Sequence, residues 1–191
     1  MEFLVRRWAQ SDAREIIGIL QRHQSKIHWP GEEGLYFKAL AANELVRTAS
    51  EEGLNLFEQS CRESGGRSVG SGAPPKAPDD LASDFYRRLV VIDPARGFRA
   101  ALDSAHPGLA LGGAAVAAVE TGRGGEMAQL LESVPEEQAE WPRSVLVEAW
   151  GRSAPDAAAE WFNSLSSSLQ AEFEDDFEAA RKYATSSPLD P

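Results

Sequence analysis

The hydrophobic positions along this chain recur at the spacing of an α-helix. Apolar residues stand three or four positions apart in many segments, as at Leu54, Phe57 and Cys61. This spacing places them on one face of a helix. The β-branched and aromatic runs typical of strands are almost absent, and the one such stretch, residues 89–92, is short. The pattern therefore predicts an all-α fold.

A longer repeat lies over this helical pattern. Each copy begins with a large apolar residue, and an aspartate or alanine stands four positions later. A proline or alanine comes next, and a helix-forming run follows it. The three best copies start at Trp8, Leu89 and Trp150, and two weaker copies start at Val46 and Val119. The separations of these five starting residues are 38, 43, 30 and 31 residues. Helical-hairpin repeats commonly have periods from the low thirties to the mid-forties. We therefore expect a right-handed stack of about five antiparallel hairpins with a C-terminal capping helix.

Capping residues explain the junction inside each hairpin. Asp12 is followed three residues later by Glu15, the spacing of a capping box. Asp93 precedes a proline, whose missing N–H costs nothing in the first turn of a helix. Ser153 and Asp156 repeat the capping-box spacing in the last copy. Each site predicts a tight junction between two helices.

Prolines mark the boundaries between successive hairpins. They stand in Trp29-Pro30-Gly31, His106-Pro107-Gly108 and Trp141-Pro142. A proline ends the preceding helix and can open the next one. Together, the capping residues within hairpins and the prolines between hairpins predict the helix limits. The predicted helices cover residues 2–10, 12–25, 32–48, 51–63, 79–91, 94–105, 108–121, 125–133, 142–151, 154–166 and 168–184.

One segment interrupts the pattern. Residues 64–78 are rich in glycine, serine and proline, the composition of a flexible exposed loop. This loop separates N-terminal hairpins over residues 1–63 from C-terminal hairpins and the capping helix over residues 79–184, and a disordered tail is expected over residues 185–191. The loop either divides the chain into two lobes, or the hairpins before and after it stack on each other in one continuous array.

The repeat motif is clearest over residues 150–162. It consists of a Trp, a Ser, then Asp or Ala, then Pro or Ala, and an alanine-rich helix follows. It resembles degenerate α-helical hairpin repeats of the tetratricopeptide-like α-solenoid class, as in arrays of uncharacterised bacterial proteins. The resemblance implies a protein-binding scaffold, because such stacks present extended concave surfaces. It implies no particular ligand.

The net charge of the chain narrows the choice of partners. It is −11, from 19 Lys+Arg and 30 Asp+Glu. Phosphate backbones and anionic membranes require concentrated positive charge, so we expect neither a nucleic acid nor a membrane as partner. A basic protein would be attracted. No segment has the roughly 20 consecutive apolar residues of a membrane span. The N-terminus lacks a secretory signal, so the cytoplasm is expected.

Residue types that carry chemistry are few and scattered. The single cysteine, Cys61, excludes a disulfide framework and a multi-cysteine zinc site. His23 and His28 are five residues apart, the wrong spacing for one helical face, and His106 stands in a turn signal. We therefore predict no metal, no cofactor and no catalytic residue.

Two glycine-rich segments have a structural interpretation. Neither precedes the Gly-Lys-Ser/Thr of a phosphate-binding loop. Residues 122–125 predict the turn of the fourth hairpin, and residues 111–113 lie in a helical pattern where they indicate close helix packing.

The last predicted helix combines an apolar stripe with an acidic cluster. The stripe consists of Leu169, Phe173, Phe177, Ala180, Tyr183 and Ala184, and the cluster of Glu172, Glu174, Asp175, Asp176 and Glu178. One interpretation is a capping helix with a solvated outer face, which repeat arrays require. The other is a docking surface for a basic partner, with Glu172, Asp175, Asp176 and Glu178 as candidate binding residues.

Three function classes remain open at this point. The leading hypothesis is a non-enzymatic scaffold that binds a protein or peptide. The second is a structural or self-assembling protein, which would form a homo-oligomer. The third is an enzyme whose site is assembled from scattered Asp, Glu and His side chains.

The five tryptophans stand near the predicted junctions, and we expect them to pack in the core rather than to form a ligand cage. Replacing Trp150 by alanine should then cost on the order of 3–5 kcal/mol. Chemical denaturation measures this loss. A midpoint unchanged by Trp150→Ala would count against the repeat.

Overall fold

A computed structural model describes residues 2–23, 33–64 and 78–186. This part of the chain contains ten α-helices, one short 3-10 helix over Pro78–Leu81 and no strand. The helices are α1 Glu2–His23, α2 Glu33–Leu45, α3 Ser50–Ser64, α4 Ala82–Ile92, α5 Pro94–Leu102, α6 Pro107–Glu120, α7 Gly124–Glu132, α8 Glu136–Ser153, α9 Pro155–Ser164 and α10 Ser167–Ser186. The all-α prediction is confirmed.

Three helix junctions share one backbone geometry. α1 is interrupted at Asp12, which has φ −153° and ψ 86°. Asp93 joins α4 to α5 with φ −142° and ψ 87°, and Ala154 joins α8 to α9 with φ −146° and ψ 70°. These residues occupy the same position in the three best copies of the sequence pattern. A single extended residue therefore turns the chain from one helix into the next.

The predicted aspartate caps are present. The Glu15 N–H donates to Asp12 Oδ1 at 2.9 Å, and the Arg96 N–H donates to Asp93 Oδ1 at 3.2 Å. Glu15 does not complete a capping box, because its carboxylate accepts a hydrogen bond from Trp8 Nε1 at 3.3 Å.

The predicted cap at Ser153 is wrong. Ser153 is the last residue of α8, and its hydroxyl donates to the Trp150 carbonyl at 3.5 Å. Ala154 occupies the N-cap position of α9 without a side-chain hydrogen bond. The fixed φ of Pro155 favours the helix start there without a polar cap.

The predicted start of α8 at Pro142 is also wrong. α8 begins at Glu136, directly after Pro135, and Pro142 lies buried inside it. An internal proline removes one backbone hydrogen bond. Ala139 and Leu146 on either side of Pro142 are buried in the core, and this packing supports a continuous helix.

The helices pack as a row with a second row against it. α4, α6, α8 and α10 lie side by side in that order. α5 packs on α4 and α6, α7 on α6 and α8, and α9 on α8 and α10. α1 packs on α2 and α2 on α3, and the 3-10 helix contacts α2, α3 and α4. The right-handed sense of this stack stays a prediction.

Helices on both sides of residues 65–77 share one hydrophobic core. The rings of Phe57 in α3 and Phe85 in α4 stack with centroids 4.0 Å apart, and one buried cluster extends from Ala9 to Leu146. Of the predicted loop over 64–78, only Ser64 and Pro78 are described, and both lie in helices. Within the predicted tail, α10 includes residues 185 and 186, and residues 187–191 lie outside the described part.

The expectation that the tryptophans pack in the core holds only in part. Trp150 and Trp161 are half-buried, with ring centroids 5.7 Å apart. Trp8 and Trp141 are exposed, so the prediction is wrong for them. Trp141 covers part of the neighbouring helix α6 from the outside rather than entering the core. Trp29 lies outside the described residues.

Two glycines allow α6 to approach its neighbours closely, as the sequence predicts. A Cβ at Gly112 would overlap the Trp141 ring, and a Cβ at Gly113 would overlap the carbonyl oxygen of Ser83 in α4. The glycine-rich turn is also confirmed, because Gly122 between α6 and α7 has φ 72°. α6 is therefore held at short range by α4 on one side and α8 on the other.

This packing makes Gly113→Ala destabilising, because the Ser83 carbonyl belongs to a rigid helix backbone. We expect a loss of about 1–3 kcal/mol in the free energy of unfolding, measured by urea denaturation. Gly108→Ala in the same helix is the matched control, since nothing lies within 4 Å of a Cβ built there. That variant should gain about 0.4–1 kcal/mol. Equal effects of the two substitutions would contradict the close approach of α6 to α4.

Candidate functional site

α10 covers the end of the helix row with one apolar face. Phe173, Phe177 and Ala180 are buried, and the Phe177 ring stacks on Phe162 of α9 with centroids 4.4 Å apart. The opposite face of α10 is exposed. α10 therefore occupies the position expected of a capping helix.

The four candidate binding residues on α10 are all exposed but do not share one face. Asp176 accepts a hydrogen bond from the Ser144 hydroxyl of α8 at 3.0 Å, and Glu172 lies one turn earlier on the same flank. Each residue turns a helix by about 100°, so Glu178 points about 160° away from Asp176. Glu178 pairs with Arg181 at 3.3 Å. Asp175 lies on the face of α10 opposite the buried apolar residues. The four predicted binding residues therefore do not form one continuous acidic patch.

Contacts between α8 and α10 fix the alignment of these two helices. The contacting pairs are Ser144 with Asp176, Gly151 with Ala180, and Arg152 with Tyr183. Residue numbers rise together along both helices, so α8 and α10 run parallel. Glu140 stands one helical turn before Ser144, and Glu172 stands one helical turn before Asp176. Both carboxylates therefore lie one turn before this contact, on the exposed surface of their helices.

Glu140, Glu172 and Asp176 form an exposed region that we call the α8–α10 surface. The sequence analysis identified Glu172 and Asp176 but missed Glu140. Glu140 and Glu172 are far apart in the chain, and only the packing of α10 on α8 relates them. No local sequence signal could have found this pair.

The carboxylates of this surface lack cationic partners in the described part of the chain. The basic residues nearby pair elsewhere: Arg143 with Glu136, Arg152 with Glu148 and Arg181 with Glu178. Glu140 and Glu172 make no ion pair there, and Asp176 has only the Ser144 hydroxyl. Exposed carboxylates without cationic partners produce a negative local potential, which favours a cationic ligand.

The charge of the whole chain is concentrated in its C-terminal half. Residues 106–191 contain fifteen Asp+Glu and five Lys+Arg, a net charge of −10. Residues 1–105 contain fifteen Asp+Glu and fourteen Lys+Arg, a net charge of −1. The α8–α10 surface therefore lies in the half that produces nearly all of the negative potential.

A second polar region lies between α1, α2 and α4. Two adjoining cavities of about 550 and 390 Å³ share Gln10, Glu44 and Arg47 in their walls. Glu44 is buried, and its Oε1 accepts a hydrogen bond from Arg88 at 3.0 Å. The sequence analysis did not single out any residue of this region.

A buried tyrosine joins α4 to α3. The Tyr86 hydroxyl donates a hydrogen bond to Glu58. Burial, together with this carboxylate, raises the pKa of Tyr86 far above its ordinary value. The hydroxyl therefore stays protonated at physiological pH and acts as a fixed donor in the helix contact.

Of the residues considered as metal ligands, the structure describes the side chains of His106 and Cys61. Among the residues that the structure describes, no group of three or more His, Cys, Asp and Glu side chains is placed to hold a metal ion. His106 is the N-cap residue of α6, and Cys61 is buried in α3. His28 and the side chain of His23 lie outside the described part. None of the described helices is both long and apolar enough to cross a membrane.

In comparisons with known proteins, no family model, no curated protein and no solved structure matches the chain. The interpretation of the two regions therefore depends on their geometry and charge.

Proposed function

We propose that the protein is a non-enzymatic helical scaffold that binds a basic protein or peptide at the α8–α10 surface. The observation that carries the proposal is the set of exposed carboxylates at Glu140, Glu172 and Asp176, which lack cationic partners among the described residues. A lysine or arginine of a partner would supply the missing charge.

The long-range field of the C-terminal half supports the same proposal. Salt at 0.1 M largely screens exposed charges that are more than about 10 Å apart, so this attraction acts most strongly at low salt. A net charge of −10 in this half attracts a basic partner from solution and increases its association rate.

The arrangement of helices supports a scaffold. α4, α6, α8 and α10 form a continuous row, and stacked helices of this kind offer an extended surface. The shared junction geometry at Asp12, Asp93 and Ala154 agrees with the proposed repeat. Self-assembly through the α8–α10 surface is disfavoured, since two such surfaces would repel each other.

The proposal predicts that the triple variant Glu140→Gln, Glu172→Gln, Asp176→Asn binds a basic peptide less tightly. The probe is a short fluorescein-labelled peptide of lysine, leucine and serine, and fluorescence anisotropy measures its dissociation constant. We expect about tenfold weaker binding, because three exposed ion pairs contribute up to about 1 kcal/mol each. Added salt should weaken binding to the unmodified protein.

A second triple variant is the matched control. Glu132→Gln, Asp156→Asn and Glu160→Gln remove the same charge from exposed positions on α7 and α9. This variant should retain most of the affinity. Equal weakening by both triple variants, or equal binding of a peptide with glutamine in place of lysine, would contradict a specific surface. The pair Asp175→Asn, Glu178→Gln reports whether the outer part of α10 contributes.

A further inference from the structure

A strip of exposed apolar side chains lies where α8 packs on α6. Trp141 of α8 is 46% exposed, and Leu109 of α6 is 39% exposed. A Cβ at Gly112 would overlap the six-membered ring of Trp141, so this ring lies on α6 at Gly112. Leu109 stands three positions before Gly112, and Val116 stands four positions after it. Residues at these spacings share one face of a helix, so Leu109 and Val116 flank the ring along α6.

This strip faces away from the hydrophobic core. The opposite face of α6 carries Leu111, Ala114 and Ala118, which are fully buried, whereas Val116 is only half-buried. Single exposed apolar residues are common on protein surfaces, but several that adjoin one another indicate an interaction site. We call Leu109, Val116 and Trp141 the α6–α8 strip.

The charged groups around the α6–α8 strip leave an excess of negative charge. α6 contains no basic residue, and both arginines of α8 are paired with glutamates of the same helix. At the end of α6, Glu120 accepts a hydrogen bond from Arg87 of α4 at 3.0 Å. Glu137, one helical turn before Trp141, is exposed and makes no ion pair within the described residues. The strip is therefore bordered by the unpaired carboxylate of Glu137 on one side and by the α8–α10 surface on the other.

We propose that the α6–α8 strip binds an aliphatic side chain of the same partner whose lysine or arginine binds the α8–α10 surface. This inference rests on the basic partner proposed above and adds that the partner carries an aliphatic residue beside its basic one. The aliphatic side chain packs on the Trp141 ring between Leu109 and Val116.

The charge and the spacing of the two regions select this occupant. The unpaired carboxylates attract a basic segment and repel a second copy of this acidic chain. Glu140 and Trp141 are neighbours in α8, and packed helices lie about 8–10 Å apart. A partner segment that crosses α8 therefore reaches both regions with side chains about 10 Å apart.

The test uses the full chain with two fluorescein-labelled peptides and fluorescence anisotropy. One is the peptide of lysine, leucine and serine, and the other has serine in place of each leucine. We expect the leucine peptide to bind about tenfold more tightly, because burial of one leucine removes apolar surface from water. Leu109→Ser should reduce this difference several-fold and leave the affinity for the leucine-free peptide unchanged.

Leu102→Ser is the matched control. Leu102 ends α5 and is 36% exposed, close to the value for Leu109, but it lies outside the strip. This variant should bind both peptides like the unmodified protein, and thermal unfolding shows that both variants stay folded. Val116→Thr is a second test within the strip. It keeps the shape of the side chain, adds a hydroxyl and should also weaken binding of the leucine peptide alone.

The failure of this inference is distinguishable from the failure of the proposed function. Equal affinities of the unmodified protein for the two peptides, or equal effects of Leu109→Ser and Leu102→Ser, would overturn the inference. The basic partner would still stand if the triple variant of Glu140, Glu172 and Asp176 weakened binding of both peptides. Absence of binding by either peptide would remove both proposals. Self-association that is abolished by Leu109→Ser would assign the strip to a second copy and overturn the inference.

Discussion

The close contact of α6 with α4 and α8 is the constraint on which the rest of the structure depends. Gly113 lies against the backbone of Ser83, and Gly112 lies beneath the Trp141 ring. The alanines of α6 between Ala110 and Ala118 are fully buried. Small side chains allow short distances between helix axes, and short distances allow little sliding. This contact therefore fixes the register of the helix row, and the register determines which surface residues become neighbours.

The junctions and most helix limits were predictable because their signals are local. Asp93 caps the helix that starts at the next residue, and Asp12 does the same within α1. The errors have a physical cause that local signals do not contain. Pro142 reads as a helix boundary, but burial of α8 on both sides of it keeps the helix continuous. Ser153 has the spacing of a cap, but it is the last residue of α8, and Ala154 occupies the N-cap position of α9.

The candidate regions were less predictable than the fold. The acidic cluster of α10 was visible in the sequence, but its division into two flanks depends on which face Phe173 and Phe177 bury. Glu140 joins this surface only through the packing of α10 on α8. Glu44 looks like any glutamate in a helix, and its burial beside Arg88 depends on contact between α2 and α4. Contacts between side chains that are far apart in the chain produce no periodic pattern in a single sequence, so they could not be predicted from it.

The charge of the chain is uneven along its length. The C-terminal half carries a net charge of −10. The α8–α10 surface in this half depends on the helix row being rigid, because its side chains come from two helices.

Native-state hydrogen exchange tests most directly whether α6 anchors the row. If α6 is held as described, its backbone amides should exchange only through global unfolding, with a free energy equal to that from denaturation. Amides at the end of α10 should exchange faster. Exchange of the α6 amides at the rate of the α10 end, through local opening, would contradict the account.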